Sequence, residues 1–216
     1  MTGVEITADY EGSELHIVGL GFNTLELSLR AHLEHVRAIR VRRLQGMIDF
    51  VNEKRSSDII FAEVMAKSTV ATRAHLARTL VERGLAATYR DAWTDLIGDV
   101  HIARLDLPHW PGIAETAEAI HHAGGLAILA HPGLLQDLSR IENLMRLGLD
   151  GLEVSHPHLD PNLAKPLIAL ARKKKWLMSA GSDSHQNPKT SQLGEYTLDL
   201  SLLHPLARRL QSNPGC

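Results

Sequence analysis

The chain has 216 residues, 44% of them hydrophobic, and a formal net charge of -2. That length and composition suit a soluble globular protein with one main domain and room for an inserted subdomain, and the charge excludes a strongly basic protein that holds nucleic acid by bulk electrostatics. A single cysteine, Cys216, excludes a disulfide framework or thiolate metal cluster and fits a reducing cytosol, while neither an apolar membrane span nor a signal peptide is read.

Residues 3–20 read as a β-hairpin: GVEITA and ELHIVGL are β-branched runs separated by the turn cluster Tyr10-Glu11-Gly12-Ser13. With Glu11-Gly12 as a two-residue turn, Glu5 and His16 fall on one face as near-diagonal neighbours. From about Glu26 the apolar spacing changes to three and four, predicting a long helix with arginines on its remaining faces. A second helical block follows, TRAHLARTLVERG closing at Gly84, with AATYRDAWTDLIG as a shorter helix. Together they predict an all-helical insert over roughly residues 26–99. After Pro108 and Pro111 the pattern alternates: helix 113–123, strand Leu126–Ala130, helix 138–147, strand Gly151–Val154, helix 161–174 and strand Trp176–Ala180. Such alternation predicts parallel βα units, as in a barrel. The tail LARRLQSNPGC is expected to fray.

Thirteen histidines direct attention to metal or phosphate chemistry. In a parallel βα barrel the functional positions lie just past the C-terminal ends of strands. The strand LAILA runs into His131-Pro132-Gly133, and WLMSA runs into Gly181-Ser182-Asp183-Ser184-His185. In Asp183-x-His185 both side chains lie on one side of an extended segment and can reach one ion. Histidine with carboxylate and no cysteine suits Mn, Zn, Fe or Mg. Each feature also has a structural reading: Asp-x-His after a strand is equally a cap or loop feature, and His131 is equally a core histidine satisfied by a carbonyl. Glu5 is harder to dismiss, because a carboxylate in an apolar strand needs a partner.

Taken in order and spacing, GVEIT, HIVGL, RAHLAR, AGGLAILAHPG and SAGSDSHQNPKTSQLG resemble the PHP (polymerase and histidinol phosphatase) phosphoesterases of the Trp-operon-H type. That group includes a nucleoside 3′,5′-bisphosphate phosphatase and a 5′-to-3′ exoribonuclease. The resemblance runs from about Gly3 to Leu200 and implies an α/β fold: a distorted, incomplete PHP-type β/α barrel with an all-helical insertion. The corresponding divisions are a barrel hairpin over 1–25, the insertion over 26–99 and C-terminal βα units over 100–212. It implies a bridging carboxylate at Glu5, further metal ligands at His16, His131, Asp183 and His185, and phosphate-facing groups at Arg73 and His75. It also implies two or three divalent ions in the complete site, Mn foremost, with Zn, Fe or Mg as alternatives. No nucleophilic side chain is then required, since the ions activate water. The substrate expected is a nucleotide or short RNA 5′ end, handled in the cytoplasm with no membrane and no stable protein partner inferred.

The sequence departs from that family at its start. The His-x-His and Asp-His elements that normally precede the glutamate are absent, and Met1 stands four residues before Glu5. His156-Pro157-His158 is a secondary His-x-His candidate only. The resemblance therefore implies either a truncated product, which the intact downstream motifs favour, or a degenerate relative. An exposed sheet edge and weakened metal affinity would follow. The alternative function is an inactive PHP-like module that binds a phosphorylated ligand or partner without hydrolysis. A basic stripe of Arg30, Arg37, Arg40, Arg42 and Arg43 is a candidate guide for an RNA backbone.

Overall fold

A computed structural model describes residues 1–66, 68–135, 137–184 and 192–212. Strands β1 (Gly3–Tyr10) and β2 (Ser13–Leu20) open the chain, followed by helices α1 (Leu27–Arg55), α2 (Phe61–Val64), α3 (Arg73–Glu82) and α4 (Tyr89–Ala92). A π-helical turn, Trp93–Ile97, leads to α5 (Asp99–Ile102). Then come α6 (Ile113–His122), β3 (Leu126–Leu129), a 3-10 turn at Pro132–Leu135, α7 (Leu138–Met145), β4 (Gly151–Ser155), α8 (Pro161–Lys174), β5 (Leu177–Ala180) and α9 (Leu200–Gln211).

Contacts divide the chain into two units. The first comprises Met1–Leu33 with Pro111–Cys216, and the second comprises Glu34–Trp110. The first is built on a five-stranded sheet in the order β1-β2-β3-β4-β5. The β1/β2 hairpin turns at Glu11 and Gly12, both at positive φ (54° and 78°), the backbone that a tight two-residue connection between right-twisted strands demands. Its register pairs Glu5 with Val18 and Thr7 with His16, so Glu5 and His16 share a face as the turn chemistry predicts. The sheet is mixed: β2 meets β3 antiparallel, while β3/β4 and β4/β5 run parallel, as the alternating βα pattern predicts. Alternating βα units read correctly from Leu126 onward, but the direction in which a preceding hairpin joins them leaves no periodic trace.

Each face of the sheet has its own cover. Ile17 and Leu129, paired across β2 and β3, are fully buried. On that side Ile120 of α6 comes so close to Gly19 that a Cβ there would lie 3.3 Å from it. On the other face Val18, Leu20, Leu126, Ile128 and Leu177 pack with Leu203, Leu206 and Leu210 of α9. The tail expected to fray is thus helical through Gln211, capped by Asp199, whose side chain accepts from Ser201 N–H. Its leucines at spacings of three and four bury apolar area, which offsets the ordering entropy of the segment.

The second unit has a core of its own. Buried residues on α1 (Leu44, Ile48, Val51) meet Leu76 and Leu80 of α3, and Leu96 of the π-helical turn. The segment expected as one short helix from Ala86 to Gly98 is an α turn from Tyr89 continued as a π turn. It ends at Gly98, where a Cβ would lie 2.5 Å from the Trp93 carbonyl oxygen. Two stripe arginines are engaged within this unit: the guanidinium groups of Arg40 and Arg43 lie 5.2 Å and 5.0 Å from the Trp110 ring centre, and Arg43 donates to the Pro108 carbonyl at 2.9 Å.

Candidate metal centre

Three side chains from three strands or strand ends converge on the sheet face that carries Glu5. Glu5 Oε1 lies 2.8 Å from His16 Nδ1 and 3.4 Å from His131 Nε2, and the two imidazole nitrogens are 3.1 Å apart. β1 and β2 place the first two through the hairpin register. His131 arrives because β3 ends beside the start of β2, where Ala130 N–H still donates to the His16 carbonyl at 3.0 Å.

The donor set fits a divalent cation. Ligand atoms each about 2.0–2.2 Å from one ion lie about 2.8–3.6 Å from one another in tetrahedral or cis-octahedral arrangements, the range these three atoms span. Carboxylate with two imidazoles matches borderline-to-hard ions rather than thiophilic ones. Access is open on one side: the side chains of Glu5 and His16 are 45% and 38% exposed, against 13% for His131.

Electrostatics hold the group together. Hydrogen bonds from His131 and His16 keep the Glu5 carboxyl far below the usual carboxylate range, outweighing burial. Burial opposes protonation of His131, but the hydrogen bond and charge of Glu5, with Asp183 and Glu153 nearby, prevail and raise its pKa. Protons and metal therefore compete for the same imidazole.

Asp183 lies three residues beyond β5 with φ 46°, its carboxylate 3.9 Å from His158 Nε2, and it is not one of the three convergent donors. His185 lies outside the described residues. His156 is buried; burial, with His131 and His158 beside it, pushes its pKa down to about 4, so the ring is neutral at pH 7. It accepts a hydrogen bond from His158 N–H at 3.1 Å. Arg73 and His75 belong to the second unit, where Arg73 pairs with Asp99 at 2.5 Å and lies over Trp93, and His75 hydrogen-bonds the Thr72 hydroxyl at 2.7 Å. Burial lowers the His75 pKa.

One residue beside the centre escaped sequence reasoning. Glu153 of β4 accepts from His131 N–H at 2.7 Å, and burial pushes its carboxyl up. A carboxylate in the otherwise apolar run GLEV was its available signal.

No family model matches the sequence. The chain is 34% identical over 204 residues to the 5′-3′ exoribonuclease Rnm of Salmonella typhimurium, covering 89% of this chain and 67% of that one. It is 28% identical to a 3′,5′-nucleoside bisphosphate phosphatase of Chromobacterium violaceum, over 98% of this chain and 77% of the relative. Among solved structures, one described as a metal-dependent phosphoesterase of Bifidobacterium adolescentis superposes with a TM-score of 0.81 at 28% identity, over 96% of this chain and 75% of the other.

Proposed function

Because this chain belongs to the family of the bacterial 5′-3′ exoribonuclease Rnm, we propose that it is a PHP-type, metal-dependent phosphoesterase that hydrolyses phosphate esters of nucleotides or RNA 5′ ends. The observation that carries this reading is the convergence of Glu5 Oε1, His16 Nδ1 and His131 Nε2. These three would hold a divalent ion, with Asp183 and His185 completing the shell, and Mn is the ion we favour. A divalent ion held there would supply Lewis-acid chemistry, polarising phosphoryl oxygens and making water nucleophilic near neutral pH.

The residues of the chain do the rest. Glu5, anionic throughout the neutral range, neutralises cationic charge at the centre and holds both imidazoles toward one point. His16 and His131 present lone pairs only when the facing nitrogens are unprotonated, so binding strengthens as pH rises through the raised His131 pKa. Arg73 and His75 are proposed to contact the substrate phosphate, where an Arg fork gives bidentate recognition. In this reading residues 26–99 form a helical insertion in a barrel fold, and Arg30, Arg37 and Arg42 guide an RNA backbone in the cytoplasm.

The test is Mn-dependent phosphate release from 3′,5′-bisphosphoadenosine and from a short 5′-phosphorylated RNA, with metal content measured on the purified chain. Activity is expected to fall at least about 100-fold in His131→Ala or Glu5→Ala. Bound metal without turnover on either substrate would favour a binding module, and full activity in both variants would remove these residues from the site.

A further inference from the structure

The backbone at His131 does what few residues other than glycine do. Its φ is 31°, in the left-handed region, a conformation that persists only where the surroundings impose it. Up to Ala130 the strand is held by its ladder, but at His131 the chain turns out of the sheet and its N–H finds a side chain, the Glu153 carboxylate, at 2.7 Å. Glu153 follows Leu152, the β4 residue paired with Leu129. It therefore stands beside the point where β3 departs.

The seat of that carboxylate is built on its far side as well. Gly181, just beyond β5, donates its N–H to the Ser155 carbonyl at 3.1 Å. A Cβ on Gly181 would lie 2.3 Å from Glu153 Oε1. A side chain at position 181 would push the carboxylate out of this position. Glu153 is not a member of the convergent donor group among the described residues, so its contact with the centre runs through the main chain of His131.

We propose that Glu153 is a positioning residue: it clamps the His131 main chain in the left-handed turn that aims Nε2 at Glu5, and Gly181 keeps the clamp's seat open. This rests on the metal-centre reading above. Without the clamp, residue 131 relaxes toward negative φ and the imidazole swings out of register with Glu5 and His16. A hydrogen bond, rather than the negative charge, is the essential contribution.

Co2+ titration followed by visible absorption tests this on the full chain, with circular dichroism as the check of folding. Glu153→Ala is expected to weaken Co2+ binding about 10–100-fold, the usual effect of losing a partner that orients a ligand, and to alter the d–d spectrum. Glu153→Gln, whose carbonyl can still accept from His131 N–H, is expected to restore the parent spectrum and most of the affinity. Gly181→Ala keeps the carboxylate but fills its seat, and is expected to behave like Glu153→Ala. If Glu153→Ala does not fold, Gly181→Ala and Glu153→Gln decide. Parent-like affinity and spectrum in Glu153→Ala or Gly181→Ala, with His131→Ala defective, would overturn the clamp and leave the metal centre standing. A Gln variant as defective as Ala would overturn it too, pointing to a direct ligand. A parent chain that binds no Co2+ would overturn the metal-centre reading and the clamp with it.

Discussion

At the far end of β3 from the candidate metal centre, His121 and Asp150 form a second polar junction. His121 Nε2 lies 2.7 Å from Asp150 Oδ2, which also accepts from Ala127 N–H at 2.8 Å. The Asp150 hydrogen bond outweighs partial burial and raises the His121 pKa. A raised folded-state pKa contributes stability that is complete below the unfolded value near 6.5 and is lost as pH climbs through the folded value. His121→Ala should therefore cost more stability at about pH 5.5 than at about pH 8.5, read as the difference in urea unfolding between parent and variant. An equal cost at both pH values would show that the pair does not titrate in this range. At this scale the sequence was informative wherever a backbone rule fixed a side chain. The Glu11-Gly12 turn sets the register that brings Glu5 beside His16, and the strand-end rule singles out His131. Glu153 was hidden because its role depends on a left-handed turn in a different segment, which no local pattern encodes.

Among elements, the β4/β5 pair carries the tightest backbone approach. A Cβ on Gly151 would lie 2.3 Å from the Leu177 carbonyl oxygen, and backbone cannot retreat as a flexible side chain can. Gly151→Ala is expected to cost about 1–3 kcal/mol or more through overpacking, measured as a shift in unfolding midpoint; a loss below about 0.5 kcal/mol would mean the strands separate without strain. Helices α6, α7 and α8 and strands β3, β4 and β5 were legible because each is a short periodic run bounded by Gly, Pro, Asp or Asn. The helix α9 was not. Pro205 and the polar tail mask a stripe whose meaning comes from the sheet it covers, with Leu206 and Leu210 buried against Leu126 and Ile128.

The whole molecule divides into two units, each with its own buried apolar cluster. Leu80, fully buried among Leu76, Ile48 and Leu96, belongs to the second unit, while the convergent donors belong to the first. Leu80→Ala is expected to destabilise by about 2–5 kcal/mol yet leave Co2+ affinity of the folded protein unchanged. Unfolding curves and Co2+ titration together check this, and a parallel loss of affinity would show that the two clusters are energetically coupled. The sequence signalled a helical stretch between two sheet-forming stretches, its start read near Glu26 from the change in apolar spacing. The contact boundary falls within α1, at Glu34, where the helical periodicity runs on without a break.

The donors of the candidate centre are far apart along the chain: His16 and His131 are separated by 115 residues, and Glu5 and His131 by 126. Closing so long a loop costs little more than closing one half as long, about 0.6 kcal/mol per doubling, so equilibrium stability barely registers the distance. Time does register it. A ribosome adding about 5–20 residues per second leaves the β1/β2 hairpin waiting on the order of ten seconds for β3, with one edge of β2 unpaired, while residues 34–110 emerge and can collapse on their own cluster. The hairpin carries Glu5 and His16 through that interval as a half-built site, exposed to chaperones, to stray strands and to any metal ion that finds two donors before the third arrives.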